Sequence, residues 1–355
     1  MYDVLLSFIT AFIATYFVIP AIIHVAEVKH LFDEPGERRS HSVKTPSLGG
    51  IGIFTGIIFA VLYWTPFTVF ADLQYMLCAF VIIFLVGVKD DIVPMTPYKK
   101  LVGELMSAGI LVYAAKLRIN SLHGFIGINE IGPEISIPLT IFTIIVIINA
   151  FNLIDGINGL SGSISAIICI TLGTWFLFTD KIGLAILAFA AAGAVTAFLK
   201  YNFTPASIFM GDTGALLLGL ISSILIIKFI DINRTMNPES PYFFAAAPAA
   251  AIGLLILPLF DTARVFTIRM LNKRSPFSPD RMHIHHLLID FGFTHMKATA
   301  VLASVTVGFI FMSFSLQRIG TFPLLGVILL VAFIGSYALQ KAVEHKKSFQ
   351  KAENA

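Results

Sequence analysis

Charge is what this sequence has least of: Asp, Glu, Lys and Arg together make up 13% of its 355 residues, against 57% hydrophobic residues and a mean hydropathy of +0.87. So little charge excludes an ordinary soluble globular chain and points to an integral membrane protein. The net charge of +3 is too small to mark a nucleic-acid binder. Cysteine is nearly absent as well. Cys78 and Cys169 both lie inside apolar runs, which argues against a disulfide framework and offers no catalytic thiol. No Lys or Arg precedes the first apolar run, so that run is expected to be a retained span and not a cleaved signal peptide. Internal repeats and low-complexity tracts are missing too.

What is present is a series of apolar runs, each roughly 17 to 21 residues long, the length needed to cross a bilayer as a helix. Eleven are expected, approximately over 4–23, 48–64, 73–88, 101–117, 137–154, 160–178, 182–199, 213–230, 243–260, 298–315 and 320–339. Pro258 is expected to kink the ninth near its end. The fold class that follows is an all-α polytopic membrane protein, read as one membrane domain over 1–340 with a charged tail at 341–355. If the amino terminus lies outside, all of the 24 Lys and Arg except Lys116, Arg118, Lys181, Lys228, Arg234 and Arg318 face the cytoplasm. That bias orients the chain with its amino terminus out and its carboxyl terminus in.

Five polar clusters then share the cytoplasmic face. The run N-A-F-N-L-I-D-G-I-N-G-L, from Asn149 to Leu160, sets Asn149, Asn152, Asp155 and Asn158 at the end of an apolar segment. An Asp at a bilayer centre costs roughly 2.5–3.5 kcal/mol, so a carboxylate there marks a functional site unless it belongs to a membrane-edge turn. Asp33 to Gly50 carries Arg38, Arg39, His41 and Lys44, suited to phosphate oxygens or to a plain positive-inside loop. V-K-D-D brings Asp90 and Asp91 to a helix end, with Lys100 beyond. Adjacent carboxylates suit general base work or a shared metal, and a helix carboxyl terminus is the wrong dipole end for simple capping. Tyr201 to Gly214 contains Asn202 and Asp212, the latter either an N-cap or a hard-oxygen metal ligand. Ser278 to His286 holds Arg281, His283, His285 and His286; with no Cys near, surrounding carboxylates favour Mg²⁺ over zinc. Seven carboxylates on one face (Asp33, Asp90, Asp91, Asp155, Asp212, Asp261, Asp280) would together cost on the order of 20 kcal/mol if buried in lipid, so they are expected to ring a wet cavity.

These clusters, in this order, resemble those of the polyprenyl-phosphate N-acetylhexosamine-1-phosphate transferases over Asp33 to His286. The D-R-M-H-I-H-H run is most similar to the N-acetylglucosamine branch and less so to the branch that uses UDP-N-acetylmuramoyl-pentapeptide. The resemblance implies Mg²⁺-dependent transfer of a sugar 1-phosphate from a UDP-N-acetylhexosamine to undecaprenyl phosphate, releasing UMP, with Mn²⁺ as an alternative cofactor. It implies Asp212 as the metal ligand and Asp90 and Asp91 as a catalytic pair near the lipid phosphate. Asn149, Asn152 and Asp155 are implied to line the nucleotide and pyrophosphate site, Asp155 with a catalytic part. Lys100 is implied near the nucleotide, while Arg281, His283, His285 and His286 close over the sugar phosphate, the histidines as catalytic groups. Arg38, Arg39, His41, Lys44, Asn158 and Asn202 complete the expected substrate contacts. Two positions depart from the family pattern: Asn158 replaces a usual second Asp, and Ala215 a usual Ser. A secondary transporter is disfavoured, because its coupling charges belong near the midplane. A CDP-alcohol phosphotransferase needs a D-G-x-x-A-R run, and Asp155-Gly156 is followed by Ile157, Asn158, Gly159 and Leu160.

Overall fold

A computed structural model of the chain describes residues 2–32, 45–125, 127–273, 275 and 282–353. It divides into two compact units, 1–243 and 244–355. The first holds α1 (Tyr2–Val28), α2 (Gly49–Trp64), α3 (Phe67–Ile92), α4 (Pro97–Tyr113), α5 (Pro133–Ile154), α6 (Leu160–Phe178), α7 (Ile182–Asn202) and α8 (Gly211–Arg234). Between α4 and α5 a small antiparallel hairpin pairs β1 (Ser121–Phe125) with β2 (Ile128–Glu130). The second unit holds α9 (Ala247–Leu254), α10 (Ile256–Leu271), α11 (Ile284–Asp290), α12 (His295–Leu316) and α13 (Thr321–Glu353).

All eleven apolar runs fall on helix, but not on eleven equal spans. Among the described residues, seven helices are long and apolar enough to cross a membrane, or eight if the bent pair α9 and α10 counts as one. α2 is a shorter apolar helix of 16 residues. The ninth run differs from the sequence expectation in where it breaks. The bend is 77° and lies at Leu255, three residues before Pro258, and α10 then continues to Leu271. Proline explains the position: its ring collides with the carbonyl four residues earlier, here Leu254, so the preceding helix must stop there.

α7 and α8 form the centre of the first unit and are buried almost throughout. Their Ala, Gly and Leu content is what membrane interfaces use, since small residues let backbones approach. Where α2 and α8 begin, the approach is closest. Gly49 and Gly50 donate backbone hydrogen bonds to the Phe209 and Met210 carbonyls at 2.9 Å each, and Phe209 N donates to Pro46 O at 2.7 Å. A Cβ on Gly50 would stand 2.1 Å from the Gly214 backbone nitrogen. In the second unit, Ala246, Ala249, Ile256, Phe309, Leu324 and Ile328 make a separate core.

Gly50→Ala is therefore expected to destabilise the protein by about 1–3 kcal/mol, because backbone and not a flexible side chain must yield. A lowered melting temperature in detergent is the expected reading; an unchanged one contradicts the helix crossing described here.

Candidate active site

Consecutive antiparallel helices bring the carboxyl ends of α3, α5 and α7 and the amino ends of α4 and α8 to one end of the first unit. A cavity of about 370 Å³ opens there, lined by Asp90, Asp91, Asp155 and Asp212. Asn152, Asn158 and Asn202 share its wall. Residues distant in sequence, from four of the elements that end here, thus meet; of the seven carboxylates expected at one cavity these four line it, Asp261 belongs to the second unit, and Asp33 and Asp280 lie outside the described residues.

The adjacent carboxylates of α3 have different partners. Asp91 reaches across to the first turn of α8: Oδ1 accepts from Asp212 N at 2.7 Å, and Oδ2 from Thr213 N at 3.0 Å and from the Thr213 hydroxyl. It caps the amino terminus of a neighbouring helix, a role hidden to a reading confined to its own helix. Asp90 accepts from Met95 N through Oδ1 and from Lys100 Nζ at 3.2 Å through Oδ2. Lys100 also pairs with Asp212 Oδ2 at 2.9 Å. Asp212 is the second residue of α8, and its carboxylate faces Lys100 instead of capping its own helix. Gly211 makes this turn possible. Its φ is +71°, and a Cβ would lie 2.7 Å from both Asp91 oxygens.

The other wall is held by Asn202. Its Oδ1 accepts from Gly159 N at 2.7 Å, and its Nδ2 donates to Ile208 O at 2.8 Å. Asn158 donates to Thr204 Oγ1 at 3.0 Å. Asp155 follows α5 directly and makes no side-chain hydrogen bond among the described residues. Burial, and then the negative charges of Asp212 and Asp91, push its carboxyl up to about 8.

Asn149 is placed differently from the expectation. It stands one turn behind Asn152, and its amide donates to Glu104 Oε2 at 2.6 Å, so it backs the cavity wall. Glu104 is a residue the sequence reading passed over, although an ionisable side chain in the apolar run 101–117 is itself a signal. Arg38, Arg39, His41, Lys44 and Arg281 lie outside the described residues.

In the second unit, His283 and His285 are buried at 5% and 2% exposure. Asp261 organises them: Oδ2 meets His283 Nδ1 at 2.9 Å, while Oδ1 accepts from Ile284 N at 3.0 Å and from Arg264 Nη2 at 2.9 Å. Arg264 also donates to the Met282 carbonyl. Burial first, and then the neighbouring His286, lower His285 to about 3, which keeps it neutral at physiological pH. His285 and His286 lie with ring centroids 4.2 Å apart.

Among the described residues no group of three His, Cys, Asp or Glu is arranged to hold a metal ion as it stands. The cavity donors nevertheless fit a hard dication: four carboxylates gather at one place, all donors are oxygen, and a cation, the Lys100 ammonium, already bridges two of them.

Residues 73–230 match the family described as glycosyl transferase family 4. The chain is 32% identical to a probable undecaprenyl-phosphate N-acetylglucosaminyl 1-phosphate transferase of Bacillus subtilis, over 88% of this chain and 84% of that one. It is 30% identical to proteins named undecaprenyl-phosphate alpha-N-acetylglucosaminyl 1-phosphate transferase in Salmonella typhi, over 88% and 84% of the two chains, and in Escherichia coli, over 90% and 86%.

The raised Asp155 has a measurable consequence. From its ordinary value of 3.8 up to about 8, the folded protein holds a proton that the unfolded chain has released. Stability therefore falls as pH rises through that window. With divalent cations chelated, the wild-type melting temperature is expected to drop from about pH 5 to about pH 9 more steeply than that of Asp155→Asn. Parallel curves for the two proteins would contradict the assignment.

Proposed function

Because this chain belongs to glycosyl transferase family 4 and is a sugar-1-phosphate transferase, we propose that it moves N-acetylglucosamine 1-phosphate, or a related N-acetylhexosamine 1-phosphate, from its UDP-sugar to undecaprenyl phosphate. An oxygen of the lipid phosphate attacks the phosphorus that bears the sugar, a diphosphate bond forms, and the bond to UMP breaks. The observation that carries this reading is the carboxylate cavity at the shared helix end, with Lys100 fixed against Asp90 and Asp212.

The difficulty of the reaction is the meeting of two anions. A phosphomonoester has a second pKa near 6, so much of the acceptor is already a dianion at neutral pH and needs little base catalysis. Asp155 is the cavity carboxylate without a side-chain hydrogen bond among the described residues; a bound dication would hold it ionised, and in that state it would take the residual proton. Asp90, held by Met95 N and Lys100, is less suited to that task than to orienting the Lys100 cation. Asp91 keeps the first turn of α8, and with it Asp212, in place. Asp212 with its neighbouring carboxylates would hold Mg²⁺, or Mn²⁺ in its stead, and the ion would supply a positive field for in-line displacement. Asn152 and Asn158 offer amide donors and acceptors to the nucleotide. The three histidines and Arg281 are proposed to contact the sugar phosphate, and Arg38, Arg39, His41 and Lys44 the anionic substrates. The cavity end faces the cytoplasm of a bacterial inner membrane, where UDP-sugars are available, and the product begins a cell-surface glycan.

Purified protein with undecaprenyl phosphate, Mg²⁺ and a panel of UDP-sugars is expected to release UMP with UDP-N-acetylglucosamine or a close relative. Release only with UDP-N-acetylmuramoyl-pentapeptide would move the enzyme to the other branch. Asp212→Asn is expected to fold and to lose at least about 10²-fold in kcat, since a neutral amide keeps shape but not charge at a hard cation. Near-normal Mg²⁺-dependent turnover would reject Asp212 as the metal ligand. For orientation, a reporter fused after Asp231 is expected outside and one after Lys273 in the cytoplasm; the reverse at both would remove the cavity from the nucleotide pool.

A further inference from the structure

One buried ionisable group has no part in the mechanism above. Glu104 lies in α4 with 1% exposure, surrounded by an otherwise apolar stretch. Burying a carboxylate in such surroundings costs several kcal/mol unless it is paired and hydrogen-bonded. Its partner is Asn149 of α5, which donates to Oε2 at 2.6 Å while also donating to Ile145 O at 3.0 Å. The two helices run in opposite directions, and this bond is a rung between them just beneath the cavity.

The rung is connected to the cavity on both sides. Lys100 is four residues before Glu104 on α4, so the two side chains share a helix face about 6 Å apart at Cβ. Asn149 is three residues before Asn152 and six before Asp155 on α5. Glu104 also interacts electrostatically with Lys100 and with Asp212. A glutamine would tie α4 to Asn149 equally well and at lower desolvation cost. What the carboxylate adds is negative charge one turn below an ammonium that must stay between Asp90 and Asp212.

We propose that Glu104 is a positioning residue: tied to Asn149, it braces α4 against α5 and holds the charged Lys100 at the cavity wall. This rests on the transferase reading given above. Its action is through Lys100 and α5, without contact to substrate.

The test uses four full-length proteins in detergent: wild type, Glu104→Gln, Asn149→Asp, and the double variant that exchanges carboxylate and amide across the rung. Glu104→Gln keeps a side-chain tie but removes the charge, and is expected to lower kcat about tenfold with little change in KM for the UDP-sugar. Asn149→Asp sets two carboxylates face to face and is expected to lose at least as much. The exchange restores one carboxylate and one amide donor, and is expected to recover kcat to within about threefold of wild type. Wild-type kcat in Glu104→Gln overturns the proposal, because a merely structural tie survives that change. An exchange no more active than the worse single variant overturns it also. If wild type releases no UMP from any UDP-sugar, the transferase reading fails on its own terms. The brace is then decided by thermal melting of the same four proteins, where a double variant more stable than the sum of single effects supports it and strict additivity overturns it.

Discussion

The site depends first on the carboxylate of Asp91 crossing from the end of α3 to the first turn of α8. A helix amino terminus presents backbone N–H groups without acceptors, and those of Asp212 and Thr213 are satisfied here by one foreign side chain. Charge-assisted bonds of this kind, at 2.7 and 3.0 Å, are roughly twice as strong as neutral ones. Asp91 is thus unfavourable at the carboxyl end of its own helix and favourable at the amino end of its neighbour. The second effect wins because the contact is direct and hydrogen-bonded, whereas a macrodipole alone contributes only about 0.3–1 kcal/mol. From that bond follow the place of Asp212, the left-handed turn at Gly211, and the approach of α2 to α8 through Gly50.

Among the described residues, charge at the cavity does not balance. Asp90, Asp91, Asp155 and Asp212 surround a space entered by one ammonium, Lys100. Asp155, which no side-chain hydrogen bond relieves among the described residues, is pushed up to about 8 by burial first and then by the charges of Asp212 and Asp91. Asp261 in the second unit is the useful contrast. Its two oxygens meet a histidine nitrogen, a backbone N–H and a guanidinium, and little capacity is left for a ligand. The cavity thus gathers four carboxylates around an open space, while Asp261 is consumed in building structure, ordering the start of α11 and the histidines beside it.

Much of this was legible in the sequence, and the boundary is physical. Apolar runs locate the helices because span length and hydropathy are local properties. Asp90, Asp91, Asp155 and Asp212 were legible as residues of one polar cavity because charge beside an apolar run is expensive wherever it lies. Pairings were not. Asp91 and Asp212 are 121 residues apart and Asn149 and Glu104 45 apart, and no local pattern encodes such contacts. For that reason the sequence alone suggests Asn149 as a substrate contact and does not reveal its bond to Glu104. The break at Leu255 was misplaced by a turn because proline's clash acts on the carbonyl four residues back, not on its own position.

Asn158, where the chain departs from its family pattern, is consistent with this electrostatic arrangement. Its amide donates to Thr204 Oγ1, joining the turn after α5 to the segment after α7 that Asn202 also ties through Gly159 and Ile208. A carboxylate has no proton to donate there at neutral pH, so the threonine hydroxyl would have to reverse its role to keep the link. It would also add a fifth acidic group to a cavity in which Asp155 is already driven toward its neutral form by burial and by its neighbours. A neutral residue at this position therefore favours a rim held by hydrogen bonds and leaves the ionisable groups of the cavity at Asp155, Asp212 and the α3 pair. On this view Asn158 contributes shape and hydrogen bonding to the cavity rim, beside four carboxylates that already line the space.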